Sequence, residues 1–260
     1  MEKKGLDVLL GDQYERRARR LPALLTVFPI ALVIGAFFPE KQAAFGVLAS
    51  TVTAFGLTPL LAQLARDPGR RLQAGLFLAW GGSPTTRLLR HRDALLGAAT
   101  RARYHQNLAK LVPGFKIPTA KSEALEPEAA DDMYQSGTTF LIDATRDHSK
   151  FPLVFQENIN FGFRRNLLGL RRYGITSASI GTALCIVATA VAWWKDRFPP
   201  VQAAYTVVNI FMLVTWIFAI TPTWVQTAGD AYARALLGTS DTLASGFARP
   251  APTTSPTGTG

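Results

Sequence analysis

Residues 175–194 read ITSASIGTALCIVATAVAWW. The run holds no Asp, Glu, Lys, Arg or His. A helix of this length, rising 1.5 Å per residue, covers about 30 Å, the thickness of a bilayer's hydrocarbon core. Ser177, Ser179, Gly181 and Ala183 are small enough to let a second helix approach closely. Trp193 and Trp194 end the run as an interfacial aromatic pair would. A buried helix of a water-soluble core explains a single run of this kind equally well, so repetition has to decide.

Three more such runs occupy residues 21–38, 43–64 and 201–220. Short turns join them in pairs: PEKQ at 39–42 and KDRFPP at 195–200. Four paired runs predict an all-α membrane protein, with two transmembrane helical hairpins and a helical cytoplasmic domain inserted between them. Pro22 falls at a helix start, and Pro29 bends the first span where a neighbouring helix can satisfy the freed carbonyl. A cleaved signal peptide fits the first run less well. Its charged lead is too long, and no small-x-small cleavage site follows. The expected layout is a basic cytoplasmic N-tail at 1–20, hairpins at 21–64 and 175–222, the inserted domain at 65–174, a cytoplasmic C-terminal helix at 223–248 and a disordered tail at 249–260.

Charge gives the orientation. The formal net charge is +10. Lys3, Lys4, Arg16, Arg17, Arg19 and Arg20 precede the first run. Arg66, Arg70 and Arg71 flank the inserted segment on one side, and Arg164, Arg165, Arg171 and Arg172 on the other, whereas the two short turns hold only Lys41, Lys195 and Arg197. The positive-inside rule therefore places both termini and the inserted domain in the cytoplasm of a bacterial inner membrane. In such a protein the excess charge speaks for anionic lipids as partners and not for nucleic acid.

The spans lack the buried ionisable groups that proton relays and ion-coupled transporters use. Asn209 is their most polar side chain, with a role either in an interhelical hydrogen bond or along the pore of a homo-oligomer. The lone cysteine, Cys185, lies inside a span and reads as a small apolar residue. His91, His105 and His148 have no ligand spacing, so no metal site is expected, and each reads as a surface or interfacial residue. No nucleophile–base pattern appears, so no catalytic residue, enzyme activity or cofactor is assigned.

Between the hairpins the pattern is helical. Ser83 and Pro84 predict a capped helix start, a second helix is expected over 95–111, residues 115–125 read as loop, and helices are expected over 127–146 and 152–170. Two stretches stand out. Gly81, Gly82, Ser83, Thr85, Arg87 and Arg90 place glycines, hydroxyls and cations about a helix start, which suits an anion such as a nucleotide or lipid phosphate, although a tight turn with a capped helix explains them too. The stretch FQENINFGFRRN at 155–166 alternates aromatics with polar groups, and Glu157, Asn158, Arg164 and Arg165 form its candidate ligand face. An amphipathic helix with core aromatics and lipid-facing arginines is the alternative there.

The stretches GGSPTTRLLRHRD at 81–93 and ENINFGFRRNLLGL at 157–170 resemble a family of uncharacterised bacterial multi-pass membrane proteins, over roughly residues 10–226. The resemblance implies the same layout and carries no catalytic assignment. The layout is also similar to that of membrane effectors of bacterial antiphage defence, an analogy of architecture. The functional expectation is an oligomeric, channel-like membrane effector gated by a signal, a nucleotide or a cytoplasmic protein, received at the cytoplasmic domain. A membrane scaffold that recruits a cytoplasmic partner is the alternative.

Overall fold

The computed structural model describes residues 13–38, 58–93, 95–195 and 200–247. Among them there are helices and no strands. Helix α1 is Glu15–Phe37, α2 Thr58–Ala79, α3 Pro84–Leu89, α4 Ala98–Leu111, α5 Ala120–Leu125, α6 Pro127–Ala144, α7 Pro152–Trp194, α8 Pro200–Ala219 and α9 Pro222–Phe247. Three of these, α1, α7 and α8, are long and apolar enough to cross a membrane. Four were expected. Most of the remaining one, 43–57, lies outside the described residues, and 58–64 opens α2.

The chain divides into two compact units, Met1–Phe77 with Asn158–Ala228 and Leu78–Glu157 with Gly229–Gly260. The boundary expected at 174/175 falls inside α7, which is continuous for 43 residues. The intervening Arg171-Arg172-Tyr173-Gly174 carries no proline, and one glycine costs a helix only about 1 kcal/mol relative to alanine.

In the first unit the helix starts are built around missing backbone donors. Residues Glu15–Arg20 form a π-helical turn. Pro22 has no N–H to give the carbonyl of Ala18, four residues back. The fully buried Asn166 of α7 supplies one instead, its Nδ2 donating to Ala18 O at 2.6 Å. At the other end, α8 finishes in a π-helical turn over Thr215–Ala219 before Pro222 opens α9. Its loose carbonyls are taken by Arg171, whose Nε donates to Trp216 O at 3.2 Å and Nη2 to Ile217 O at 2.7 Å. A cation capping a helix C-terminus also suits the helix dipole.

Helices α2 and α7 cross backbone to backbone. A Cβ on Gly169 would stand 2.5 Å from Gly69 N, so neither position has room for a side chain. Val33 and Ala36 of α1, Cys185 and Ala188 of α7 and the partly buried Tyr205 of α8 form a small apolar core between the candidate spans.

The second unit packs α3, α4, α6 and the C-terminal part of α9 around Leu88, Leu89, Leu108, Tyr134, Leu141, Leu236 and Leu237. The expected helix start at Ser83 is present: its side chain accepts from Thr86 N at 3.3 Å, and Pro84 occupies the first turn. The stretch 115–125, expected as loop, ends in α5. Thr119 and Ser122 form a reciprocal capping box there, a short-range signal that stabilises even one turn and a half.

Candidate functional site

The Gly81–Arg90 stretch closes on itself. Gly81 and Gly82 turn the chain with φ of 80° and 138°, values that favour glycine. Arg90 fills the space that a side chain on Gly82 would need, since a Cβ there would lie 2.8 Å from its Nη2. Its guanidinium donates to Gly81 O at 2.5 Å, to Asp93 Oδ2 at 3.2 Å, and through Nε and Nη2 to Asp131 at 2.8 and 2.5 Å. The hydrogen bonds to Asp131 raise the Arg90 pKa further. The Ser83 hydroxyl lies 3.1 Å from that of Thr85 and 2.8 Å from that of Thr86. Arg87 faces Asp230 of α9 at 3.8 Å. Burial pushes the Asp230 carboxyl above its ordinary range, against the pull of Arg87 and Arg234. An anion entering this turn would have to displace these bonds.

Beside the turn lies a polar cluster that the sequence did not announce. Glu123 is 2% exposed. It accepts from His91 N at 2.8 Å, Arg92 N at 3.1 Å, Arg92 Nη1 at 3.2 Å and the Tyr134 hydroxyl at 2.8 Å. Burial alone would raise its pKa. The two backbone amides, the tyrosine and the Arg92 cation outweigh burial and hold the carboxyl below the usual range. Tyr134 is raised, first by burial and then by its bond to Glu123. His105, expected as a surface or interfacial residue, is buried at 2% exposure and stacks on Tyr134 with ring centroids 5.3 Å apart. Its Nε2 lies 2.8 Å from Leu89 O, and burial lowers its pKa. His91 sits edge-on to it at 5.1 Å, and His148 stacks on Phe155 at 3.7 Å.

The other stretch divides between the units. Glu157 ends the first segment of the second unit and Asn158 begins the second segment of the first, both half-buried. Arg164 and Arg165 belong to the first unit. Arg164 lies 4.7 Å over the Trp224 ring and donates to Trp224 O at 2.9 Å. Arg165 donates to Gln73 Oε1 at 2.5 Å and to Asn166 Oδ1. Among the described residues, Arg164, Arg165, Arg171 and Arg172 form no ion pair, a marked contrast with Arg90. Asn209 is fully buried, and its Nδ2 donates to Cys185 Sγ of α7 at 3.3 Å.

Glu123, Asp131, Tyr134 and Asp230 were not singled out from sequence. Their partners stand 31, 41 and 11 residues away, and for Asp230 the partner lies on another helix, so no local pattern assigned them a role in a site. Among the described residues no three His, Cys, Asp or Glu side chains group to hold a metal ion. Compared with protein-family models, curated proteins and solved structures, the chain matches nothing.

Proposed function

We propose that this is an integral inner-membrane effector, with both termini and the Leu78–Glu157 unit in the cytoplasm and four spans arranged as two hairpins. Its input is a nucleotide or a cytoplasmic protein, and its spans act as an oligomeric, channel-like element. The observation that carries this reading is α7, one 43-residue helix that carries charged and polar residues over its first half and no charged residue over its last twenty. In this reading α7 is the element that carries the signal from the cytoplasmic segment to the spans. The apolar face of α8 adds weight, since Phe211 is 69% and Phe218 73% exposed and must be covered by lipid or another copy.

A potential-sensitive dye in expressing cells tests the effector reading. Depolarisation on expression, reduced by breaking α7 with Tyr173→Pro, is the expected result. Unchanged potential with intact membrane insertion favours the second reading, a scaffold recruiting a cytoplasmic partner. That reading draws on Leu125 and Leu153, 73% and 64% exposed on the second unit. Reporter fusions after Gly114 and Phe247 should read cytoplasmic, and those after Glu40 and Asp196 periplasmic. A periplasmic signal at Gly114 overturns the topology.

A further inference from the structure

Within the first unit, Leu25, Phe163, Leu167, Phe211, Trp216 and Trp224 contribute to an apolar groove of about 300 Å³. The one hydroxyl on its wall, that of Thr215, is spent on Phe211 O at 2.9 Å. The accessible wall of the groove is apolar, and Phe211 on that wall and Phe218 of the same helix are both largely exposed. Its rim is the opposite in character. Arg164 covers Trp224, and Arg171 bonds to the carbonyls of Trp216 and Ile217. Carbonyls orient a guanidinium but do not neutralise it. Neither arginine has a carboxylate partner among the described residues.

An apolar groove rimmed by unneutralised cations fits an amphiphile with an anionic head. We propose that the groove binds an anionic phospholipid of the surrounding bilayer, one acyl chain lying against Leu167, Phe211 and Trp216 and the phosphate meeting Arg164 and Arg171. This rests on the membrane reading above. A second copy of the chain is the rival occupant, and charge argues against it. The described carboxylates of this unit are Glu15, already paired with Arg20 at 3.1 Å, and Asp67, so the same unit of a second copy would bring arginines to arginines.

The test uses the full chain with Trp80, Trp193 and Trp194 changed to Phe, so that only Trp216 and Trp224 fluoresce. The protein is reconstituted in phosphatidylcholine vesicles, and phosphatidylglycerol or phosphatidylcholine with dibrominated acyl chains is titrated in. Bromine quenches tryptophan on contact. Quenching by the glycerol lipid should half-saturate at a mole fraction about tenfold lower than by the choline lipid, the scale a charge-assisted hydrogen bond supplies. Arg164→Gln should move the first curve towards the second, Arg164→Lys should move it less, and Ala219→Phe, which fills the groove, should remove the saturable quenching by both. Helix content by circular dichroism checks that each variant folds. Coincident curves for the two lipids in the parent protein overturn the proposal, as does selectivity that survives Arg164→Gln. Absence of quenching by either lipid means that another copy covers the groove, and overturns it too. A protein that fails to float with the vesicles overturns the membrane reading as well, so the two failures are told apart.

Discussion

In the unit formed by Leu78–Glu157 and Gly229–Gly260, Arg87, Arg90, Arg92, Arg103 and Arg146 each face a carboxylate, whereas in the other unit Arg164, Arg165 and Arg171 spend their donors on carbonyls and side-chain amides. The same side chain thus serves two purposes. In the first case it is paired with a carboxylate, and through Arg87, Arg90, Arg92 and Arg103 the pairing ties together segments distant in sequence. In the second it is oriented by the fold and left without a carboxylate partner among the described residues; in the membrane reading proposed above, that charge is available to lipid phosphate. The comparison predicts that damage to each unit will stay in that unit and respond to different solution conditions.

The hardest test falls on Glu123. Glu123→Ala leaves two backbone amides, a tyrosine hydroxyl and the Arg92 cation without their shared acceptor. Breaking such a buried charged group costs about 3–5 kcal/mol. Denaturant unfolding of the purified full chain should register that loss. Hydrogen exchange should localise it to the amides around Leu88, His105 and Tyr134, with α7 beyond Gly174 still protected. Wild-type stability, or loss of protection spread equally over both units, would break the comparison.

The complementary lesion is Gly169→Val. The side chain has no space at the crossing with α2, and overpacking of this kind costs about 1–3 kcal/mol. Exchange should rise around Gly69 and Asn166 while the Glu123 cluster stays protected.

How far these features were legible follows from their range. Three of the four apolar runs and the Ser83 cap are local patterns, and each of these stands as helix or cap in the structure. The continuity of α7 was hidden because Arg171–Gly174 looks like a boundary by charge and composition, although nothing in it stops a helix. The buried His105 was misjudged because a histidine's partners, here Leu89 O and the Tyr134 ring, are set by tertiary packing. The candidate arginines were visible as residues. Which would be neutralised was not, because Asp131 and Asp230 are brought to them only by folding.

Acidity should sharpen the contrast. Burial holds the His105 imidazole below its ordinary value near about 6.5. As pH falls past that value the unfolded chain takes up a proton that the folded unit refuses, so stability falls. Glu123 acts in the same direction at lower pH. Its carboxyl is held below the usual range, so its contribution is complete above the ordinary glutamate pKa and is lost as pH falls through the lowered folded one. Melting curves from pH 7 downward should therefore decline in two stages, and His105→Gln should flatten the upper stage alone. An unchanged upper stage in that variant would mean the imidazole is not what senses the acid.

The smallest effects separate the two uses of arginine most directly. Arg103 meets Asp241 at 3.0 Å on the surface, with both side chains well exposed, so solvent and salt screen the pair. Arg103→Ala should leave stability hardly changed at physiological salt and should leave vesicle binding unchanged. Arg172 is exposed on α7, donates to the Tyr173 hydroxyl, and has no carboxylate partner among the described residues. Arg172→Gln should leave unfolding in detergent unchanged, yet lower the preference for vesicles containing phosphatidylglycerol over phosphatidylcholine by about 1 kcal/mol, the worth of one basic residue at an anionic surface. That loss should shrink as salt rises, because the attraction falls off within a Debye length. If Arg103→Ala and Arg172→Gln change lipid preference equally, the charge of this protein is a diffuse property of its surface. If only Arg172→Gln does, the charge left over by the fold belongs to the unit that meets the membrane.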